Sequence, residues 1–349
     1  MKRLNPQEIV IVDTVRTANA KTEMGFFRHL DATTLSAQTI TALLEKTQLD
    51  VQHIENVLWG ANIQHIARQA SIQAQLPYQT TTQTLNSLEG STLGALHHAV
   101  FNIATQQTDV CIVGGVATEQ LTQTHELVAR MQNITREAQD HYAVLSHQRA
   151  WQTSHDITPL VGHQPNGFLC LCEQDELIQA NASIDAFSQS PALHYGTLTQ
   201  HNRALPAIGA SALLVMSAER AKTLQLKPKA VIRSIVQTAC DPTLSGHAMV
   251  SSTHKALQRA DLKLKNIQSF EFFESTAADV LYTLNQLKLK PEQVNLQGGV
   301  LALGNTGHAV GTQMIHSLLQ TLQKQNTHLG LISLSTPLGE GFSIILERV

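Results

Sequence analysis

Cysteine and histidine side chains are the first candidates for chemistry in this chain of 349 residues. His97 and His98 are neighbours in a helical stretch, so their side chains point apart and cannot bind one metal ion together. Cys170 and Cys172 fit alternate residues on one face of a strand better than a redox pair. No pair has the CxxC spacing typical of a zinc site. We therefore predict free thiols and no metal centre at the four cysteines, Cys111, Cys170, Cys172 and Cys240.

A carboxylate stands where a helix is predicted to begin. Glu89 belongs to the segment Asn86-Ser87-Leu88-Glu89-Gly90-Ser91, and a helical stretch follows it. The positive end of a helix dipole stabilises a negative charge, so Glu89 could act there as a general base or attack a thioester. The alternative is a structural role only. Glu274 could pair with Glu89, because two carboxylates in one dry pocket push one pKa upward, or it could hydrogen-bond backbone in the core.

Composition excludes several classes of protein. The formal net charge is -3, from 24 basic and 27 acidic residues, which gives no basic surface for a nucleic acid partner. Hydrophobic residues make up 42% of the chain and charged residues 15%, as in a compact globular protein. No apolar stretch approaches the length of a membrane span and no secretory leader is evident, so we expect no membrane span and a cytoplasmic protein.

The pattern of apolar residues repeats within the chain. Five of them recur at one constant offset: Leu44, Leu49, Val51, Ile54 and Val57 are matched by Leu257, Leu262, Leu264, Ile267 and Phe270. In both copies a helical stretch leads through a polar loop into an apolar strand, and a second helix and strand follow. Apolar strands that alternate with helices indicate a sheet covered on both faces. The predicted fold class is therefore α/β, with two duplicated halves.

The duplication sets the domain boundaries that we predict. The N-terminal half comprises residues 1–120 and, after an insertion, residues 207–230, and the C-terminal half comprises residues 231–349. The insertion, residues 121–206, is polar and irregular except for one helical stretch at 136–151. We interpret it as a loop subdomain that packs on the core.

Short motifs along nearly the whole chain carry a family resemblance. They are Val12-Asp13-Thr14-Val15-Arg16-Thr17, Gly25-Phe26-Phe27-Arg28, Trp59-Gly60, Val113-Gly114-Gly115-Val116, Thr135-Arg136-Glu137-Ala138-Gln139-Asp140, Ser146-His147, Gly298-Gly299, Leu301-Ala302-Leu303-Gly304 and Glu347-Arg348-Val349. With these motifs the chain resembles the thiolases, and most closely the bacterial 3-ketoacyl-CoA thiolase subunit of the fatty-acid oxidation complex. The resemblance implies a five-layered αβαβα fold, a homodimer, and acyl-CoA substrates bound under a loop domain. The insertion is shortened just after Glu119, where thiolases carry a longer loop.

The motifs that carry thiolase chemistry are changed in this chain. The family's nucleophilic cysteine, in an Asn-x-x-Cys-Gly-Ser segment at a helix N-terminus, matches Glu89. The second cysteine, the acid/base of the glycine-rich C-terminal motif, matches Ser335, whose hydroxyl cannot exchange a proton with an α-carbon as a thiol does. Pro337 matches a glycine whose N–H completes one oxyanion hole of the family, and proline has no N–H.

The second oxyanion hole of the thiolases is changed as well. Its histidine, in a Gly-His-Pro motif, matches Asn305, and its asparagine, in Asn-Glu-Ala-Phe, matches Phe273, while Glu274 is unchanged. Gly304-Asn305-Thr306 is similar to the asparagine motif of ketoacyl synthase III enzymes, but Phe273 falls where their histidine is expected. His308, three residues on, could turn into the vacancy left by the missing histidine, but its spacing does not fit a direct substitution.

The resemblance also indicates the ligand. A pantetheine-contacting serine of the family matches Ala204, while the asparagine before it is kept as Asn202. Asn202, Ala204 and His308 are the candidate ligand contacts. We expect coenzyme A or an acyl-CoA as the ligand and no covalently bound cofactor.

The replacements lead to one functional prediction and two alternatives. We predict a thiolase-like protein of acyl-CoA or fatty-acid metabolism that lacks cysteine-dependent thiolysis and acts as an acyl-CoA-binding or non-catalytic subunit. The first alternative makes Glu89 the base or nucleophile of an acyl-CoA hydrolase, decarboxylase or transferase, with Asn305 polarising the thioester carbonyl. The second is a pure interaction partner of an active thiolase or of a β-oxidation complex, without affinity for CoA.

Overall fold

A computed structural model describes residues 4–117, 126–164, 166–193, 196–242 and 245–349. The predicted boundary between residues 120 and 121, and the shortening after Glu119, lie outside these ranges. Within them no helix is both long and apolar enough to cross a membrane.

Strands and helices alternate through most of the described chain. The strands are β1 (Ile9–Arg16), β2 (Ala20–Lys21), β3 (Asn56–Gly60), β4 (Thr81–Leu85), β5 (Val110–Ala117), β6 (Leu160–His163), β7 (Leu169–Cys172), β8 (Ala207–Ser217), β9 (Ala230–Ala239), β10 (Ser269–Phe272), β11 (Leu329–Ser335) and β12 (Glu340–Arg348). The helices are α1 (Ala32–Thr47), α2 (Ile66–Gln73), α3 (Ser91–Ala104), α4 (Glu126–Met131), α5 (Arg136–Gln152), α6 (Ile184–Ser188), α7 (Ala218–Thr223), α8 (Ser245–Arg259), α9 (Ala277–Leu287), α10 (Val300–Leu303) and α11 (Val310–Lys324).

The large sheet has one half from each half of the chain. Its strand order is β10-β11-β12-β9-β1-β8-β5-β3-β4, and β2 pairs with β8. The pairs β3/β4, β3/β5 and β10/β11 are parallel, while the other neighbours are antiparallel. The halves join at β1 and β9, which pair only where Val10 and Ile11 face Val231 and Ala230.

The two halves repeat the same elements. Helix α1 begins at Ala32 and β3 at Asn56, while α8 begins at Ser245 and β10 at Ser269, so helix and strand keep the same separation in both halves. In place of β4, the C-terminal half has an isolated parallel bridge between Phe270 and Val294. The predicted duplication of an α/β unit is confirmed.

Five layers result from how the helices cover the sheet. Helices α3 and α11 contact each other and the strands of both halves, so they form the central layer. Helices α1 and α2 cover the outer side of the N-terminal half, and α8 covers that of the C-terminal half with α9 beside it. Central strands such as β5 are continuous apolar runs because both of their faces are buried, and every residue of β5 is buried.

Buried polar contacts connect the predicted insertion, residues 121–206, to the core. On β1, Arg16 makes a two-pronged salt bridge to Asp175, with both N–O distances at 2.9 Å, and Asn19 N donates to the same carboxylate. Helix α5 starts at the N-cap Thr135, whose hydroxyl accepts from Ala138 N, and it packs on α9 and α10. The boundaries 121–206, 207–230 and 231–349 stay a prediction.

Candidate active site

Glu89 lies in a tight turn between β4 and α3. Leu88, the residue before it, has a φ of 50°, a left-handed conformation that side chains other than glycine rarely adopt. The hydroxyl of Ser91 donates to Leu88 O at 2.6 Å, and Gly90 fits against the ring of Phe342, where a Cβ would come within 2.3 Å of a ring carbon. The turn is thus tightly packed and holds Glu89 at 3% exposure beside the helix N-terminus.

Asn305 reaches Glu89 from the loop between α10 and α11. Its backbone is fixed by N–H donation to Leu205 O at 2.7 Å. Its side-chain Nδ2 donates to Glu89 Oε1 at 3.1 Å, and its Oδ1 accepts from Gly307 N at 2.8 Å. The Asn305 amide therefore orients the carboxylate of Glu89. In this structure its N–H, which was expected to polarise a thioester carbonyl, is bonded to Glu89 instead.

His308 completes the same group of side chains. It is only 4% exposed, and its Nε2 lies 3.2 Å from Asn86 Oδ1, in the segment that leads to Glu89. Its backbone oxygen contacts Gly60, the last residue of β3, and Gly115, within β5, where a Cβ would come within 2.7 and 2.5 Å of it. These two glycines thus leave room for the turn that carries His308. The sequence offered Asn86 only as a motif residue, because its partner is 222 positions away.

Glu274 lies in a separate buried network. Its Oε1 accepts from Tyr142 Oη at 2.8 Å and Asn295 Nδ2 at 2.5 Å, and its Oε2 accepts from Ser146 Oγ at 2.9 Å and Leu301 N at 3.0 Å. Burial raises the pKa of Glu274, and these hydrogen bonds offset part of the rise. The structure joins Glu274 to α5 and α10, and does not bring it to the carboxylate at the start of α3.

The other predicted catalytic positions hold side chains without acid/base function. Phe273 is 1% exposed and packs in the core of the C-terminal half. Ser335 is buried at the end of β11, and a turn through Pro337 follows it. The hydrogen bonds of this turn come from Thr336 N and Gly339 N, with Gly339 at a φ of 79°. Pro337 contributes none.

No cysteine takes either catalytic position. Burial raises the pKa of Cys111, in β5, to about 11 and that of Cys172, in β7, to about 12. The main chain of Cys240 contacts the turn after β11 through a bond to Gly339 O, but burial and Asp241 raise the pKa of its thiol. Among the described residues, no cluster of three or more histidine, cysteine, aspartate or glutamate side chains could hold a metal ion.

A surface cleft of about 690 Å³ opens next to this group of residues. It lies beside Asn305, because Leu205 and Pro206, which line the cleft, pair with the backbone of Asn305. The volume falls within the range of small-molecule sites. Two cationic side chains, Lys21 and Arg203, line it as well. The remaining lining residues are Thr22, Glu23, Glu176, Leu177, Ile178, Gln179 and Gln200.

The predicted pantetheine positions lie behind this cleft. Asn202 is fully buried, and its Nδ2 donates to Asp140 Oδ1 at 3.0 Å while its Oδ1 accepts from Thr199 N at 2.7 Å. Ala204 N donates to Ser275 O at 3.0 Å, which ties the segment to the start of α9. In this structure the Asn202 side chain organises the loop, and Arg203 between the two predicted positions is the residue that faces the cleft.

Sequence comparison agrees with the fold. The model described as "Thiolase, N-terminal domain" matches residues 9–125 and 117–219, and "Thiolase, C-terminal domain" matches residues 226–348. The chain therefore belongs to the thiolase family.

Individual relatives agree over the full length. The chain is 38% identical over 390 residues to a 3-ketoacyl-CoA thiolase of Acinetobacter baumannii and 36% identical to one of Psychrobacter arcticus, with 100% of both chains covered in each case. The structure of human mitochondrial 3-ketoacyl-CoA thiolase matches 99% of this chain with a TM-score of 0.92 at 22% identity, and covers 100% of its own chain. Bacillus anthracis acetyl-CoA acetyltransferase matches 98% of this chain, over 99% of its own, with the same score and identity. The predicted thiolase fold is confirmed.

Proposed function

We propose that this protein acts in acyl-CoA metabolism as a thioester-binding member of its family that does not catalyse cysteine-dependent thiolysis. The observation that carries the proposal is the chemistry at the two positions that match the catalytic cysteines. Glu89 supplies a carboxylate there, and Ser335 supplies a hydroxyl. Neither can supply the thiolate that attacks a 3-ketoacyl thioester.

The surrounding groups strengthen this proposal. Pro337 has no N–H for one oxyanion hole, and the Nδ2 of Asn305 donates to Glu89. The loss of one donor of this kind typically costs about 100- to 1000-fold in rate. Phe273 adds an apolar ring where the family's second hole needs an asparagine. Replacements at these five positions leave no route to ordinary thiolysis.

The cleft beside Asn305 supports thioester binding. Arg203 Nε is buried and, within the residues that the structure describes, has no hydrogen-bond partner. Lys21 adds a second positive charge at the same cleft. Glu23 and Glu176 line the same cleft and balance these two charges, so the support for acyl-CoA binding comes from the buried N–H of Arg203, which suits a phosphate or amide oxygen.

Binding and thiolysis can be tested separately. We expect equilibrium dialysis to detect an acyl-CoA thioether, and Arg203→Gln to weaken its binding at least about 10-fold while the exposed control Lys265→Gln does not. We expect no thiolysis of 3-ketoacyl-CoA by the protein, nor by the double variant Glu89→Cys, Ser335→Cys, because Pro337 still lacks its N–H. Thiolysis by the unaltered protein, or no thioether binding, would contradict the proposal.

We further propose that the protein forms a homodimer through β4. Among the strands that the structure describes, β4 lies at one end of the sheet order, so its outer edge is available for pairing with a second copy. Light scattering should give about twice the chain mass of 38.1 kDa. Gln83→Lys on the exposed side of β4 should shift the protein to monomer, and the exposed Lys263→Gln should not. A monomeric unaltered protein would refute this assembly.

The interaction-partner alternative is favoured by one surface feature, the hairpin β6/β7. Phe168, Leu169 and Leu171 are 71%, 69% and 54% exposed on it. Exposed apolar groups that are contiguous often mark a protein interface. This alternative predicts co-elution with an active 3-ketoacyl-CoA thiolase that is lost in Leu169→Ser, Leu171→Ser and kept in the control Leu338→Ser. Separate elution of the two proteins would exclude it.

A further inference from the structure

The cleft of about 690 Å³ is lined by an arginine, Arg203, that can still bond to a ligand. Its Nε is buried and, among the residues that the structure describes, has no hydrogen-bond partner. A guanidinium stays protonated in proteins, and leaving one of its N–H groups buried without an acceptor is costly. An acceptor supplied by a ligand in the cleft would remove this cost.

The main chain on both sides of Arg203 is held in place. Asn202 O accepts from Ala277 N at 2.8 Å, and Ala204 N donates to Ser275 O at 3.0 Å. Both bonds join the segment to the start of α9, and neither involves the Arg203 side chain. A recognition group on a fixed main chain loses little conformational entropy when a ligand binds. The guanidinium is therefore presented to the cleft from a rigid base.

Two acidic residues balance the charge of the cleft, but the described chain gives Arg203 no salt bridge. Glu176 Oε2 accepts from Lys21 N at 3.0 Å and from Phe26 N at 3.1 Å, so this carboxylate holds the turn after β2. Glu23 is exposed to solvent. Because a partly buried cation is stabilised most by an anionic hydrogen-bond acceptor, the guanidinium favours a carboxylate or phosphate oxygen over a neutral one.

The cleft adjoins the loop that carries Asn305. Leu205 O accepts from Asn305 N at 2.7 Å, and Leu177 packs against Gly304, where a Cβ would come within 3.1 Å of Leu177 Cδ2. Arg203 precedes Leu205 by two residues, roughly 7 Å along an extended chain. One ligand can therefore place a thioester group beside Asn305 and an anionic group beside Arg203, with a short spacer between them.

The direction of the side chains indicates which part of an acyl-CoA faces Arg203. Arg203 and Leu205 line the cleft, whereas Asn202 and Ala204, the predicted pantetheine contacts, do not. Alternate side chains of an extended segment point to opposite sides. A pantetheine arm at Asn202 and Ala204 thus leaves the cleft to the acyl group. Most of the lining side chains are polar or charged, which disfavours a plain alkyl chain.

We propose that Arg203 binds a carboxylate on the acyl chain, so that the protein prefers CoA thioesters of dicarboxylic acids to those of plain fatty acids. The proposal rests on the thioester binding proposed above and gives it a substrate class. The guanidinium donates Nε–H to a carboxylate oxygen in a charge-assisted hydrogen bond. A methyl-ended chain would leave this donor unpaired, and a site with an unpaired buried donor discriminates strongly against such a ligand.

Equilibrium dialysis with pairs of CoA thioethers tests the proposal. The two members of a pair have equal chain length and end in a carboxylate or in a methyl group. We expect the carboxylate-ended member to bind at least about 10-fold more tightly. The ratio should be largest at one chain length, because the distance between Asn305 and Arg203 is fixed.

Substitutions at Arg203 assign the preference to this side chain. Arg203→Gln should bring the ratio of affinities to about one. Arg203→Lys should keep only part of the preference, because an ammonium preserves the charge but lacks the fork of N–H donors. The exposed control Lys265→Gln should leave the ratio unchanged. A urea midpoint close to that of the unaltered protein shows that each variant is folded.

The outcomes separate this proposal from thioester binding itself. Equal affinity within every pair would overturn carboxylate recognition and leave thioester binding standing, whereas no binding of any thioether would overturn both. A ratio that persists in folded Arg203→Gln would also overturn the proposal. Free CoA carries the phosphates but no acyl carboxylate. If Arg203→Gln weakens CoA binding as much as it weakens binding of the carboxylate-ended thioether, Arg203 binds a phosphate and the proposal is overturned.

Discussion

Replacing Glu274 by glutamine tests whether this carboxylate is part of the framework or of the chemistry. Four donors converge on its two oxygens, from Tyr142, Ser146, Asn295 and the main chain of Leu301. Glutamine keeps the shape but turns one acceptor into an N–H donor. The network then contains two donors that face each other.

The loss of stability in Glu274→Gln depends on which of the four donors can reorient toward another acceptor. If the new amide nitrogen takes the place of Oε2, it faces Leu301 N, which is fixed in the main chain. If it takes the place of Oε1, it faces Asn295 Nδ2, which also donates to Phe272 O at 2.9 Å. Hydroxyls can rotate, but these two donors cannot. One buried donor without an acceptor, together with the weakened remaining bonds, corresponds to about 2–4 kcal/mol of lost stability.

Urea unfolding followed by the fluorescence of the two tryptophans measures this change. Glu137→Gln is the matched control, because Glu137 lies on α5, the helix that supplies Tyr142 and Ser146, but its side chain is 84% exposed. This control should change the free energy of unfolding by less than about 0.5 kcal/mol. An equally small effect of Glu274→Gln would refute the framework role.

Three further substitutions test other parts of the structure. Burial, and then the charge of Glu274, raises the pKa of Glu271. The folded chain therefore holds a proton that the unfolded chain releases above a pH of about 4.5, so the free energy of unfolding should fall as the pH rises above that value. Glu271→Gln should flatten this fall, measured as the urea midpoint at each pH. Burial raises the pKa of Asp175, but the salt bridge to Arg16 on β1 outweighs burial, and the pKa is lowered. The stability that the salt bridge contributes is therefore lost as the pH falls. Asp175→Asn should lower the free energy of unfolding by about 3–5 kcal/mol at pH 7, and a loss below about 1 kcal/mol would contradict the buried pair. Gly115→Ala would place a Cβ 2.5 Å from the main-chain oxygen of His308, so it should lower the free energy of unfolding by about 1–3 kcal/mol, whereas Gly94→Ala, with 3.8 Å to its nearest neighbour, should not lower it in urea unfolding.

The fold was predictable from the sequence because it depends on periodic patterns. The constant offset between α1 and α8 is visible in the apolar residues alone, and so is the strand character of β5. Family motifs then identified positions such as Glu89 and Asn305. Apolar periodicity and short motifs are both properties of neighbouring residues in the sequence, so they can be recognised without knowing any tertiary contact.

The contacts that organise the site were not predictable in the same way. His308 and Asn86 are 222 positions apart, and the spacing of His308 from the missing histidine argued against a direct substitution. Only the close approach of the His308 turn to Gly60 and Gly115 brings the ring to the start of α3. A glycine at the end of a strand is a weak signal by itself, because many turns require one.

The separation between framework and chemistry explains how this chain keeps the fold with its cysteines replaced. The Glu274 network connects α5, β10 and α10 through buried hydrogen bonds, and none of its donors belongs to the turn at Glu89. The central helices α3 and α11 are held by apolar packing, which is indifferent to the side chain at position 89 as long as the turn at Leu88 and Gly90 is kept. A substitution at position 89 is therefore compatible with an unchanged core. The same turn that would present a thiolate presents a carboxylate, and the side-chain amide of Asn305 donates a hydrogen bond to it.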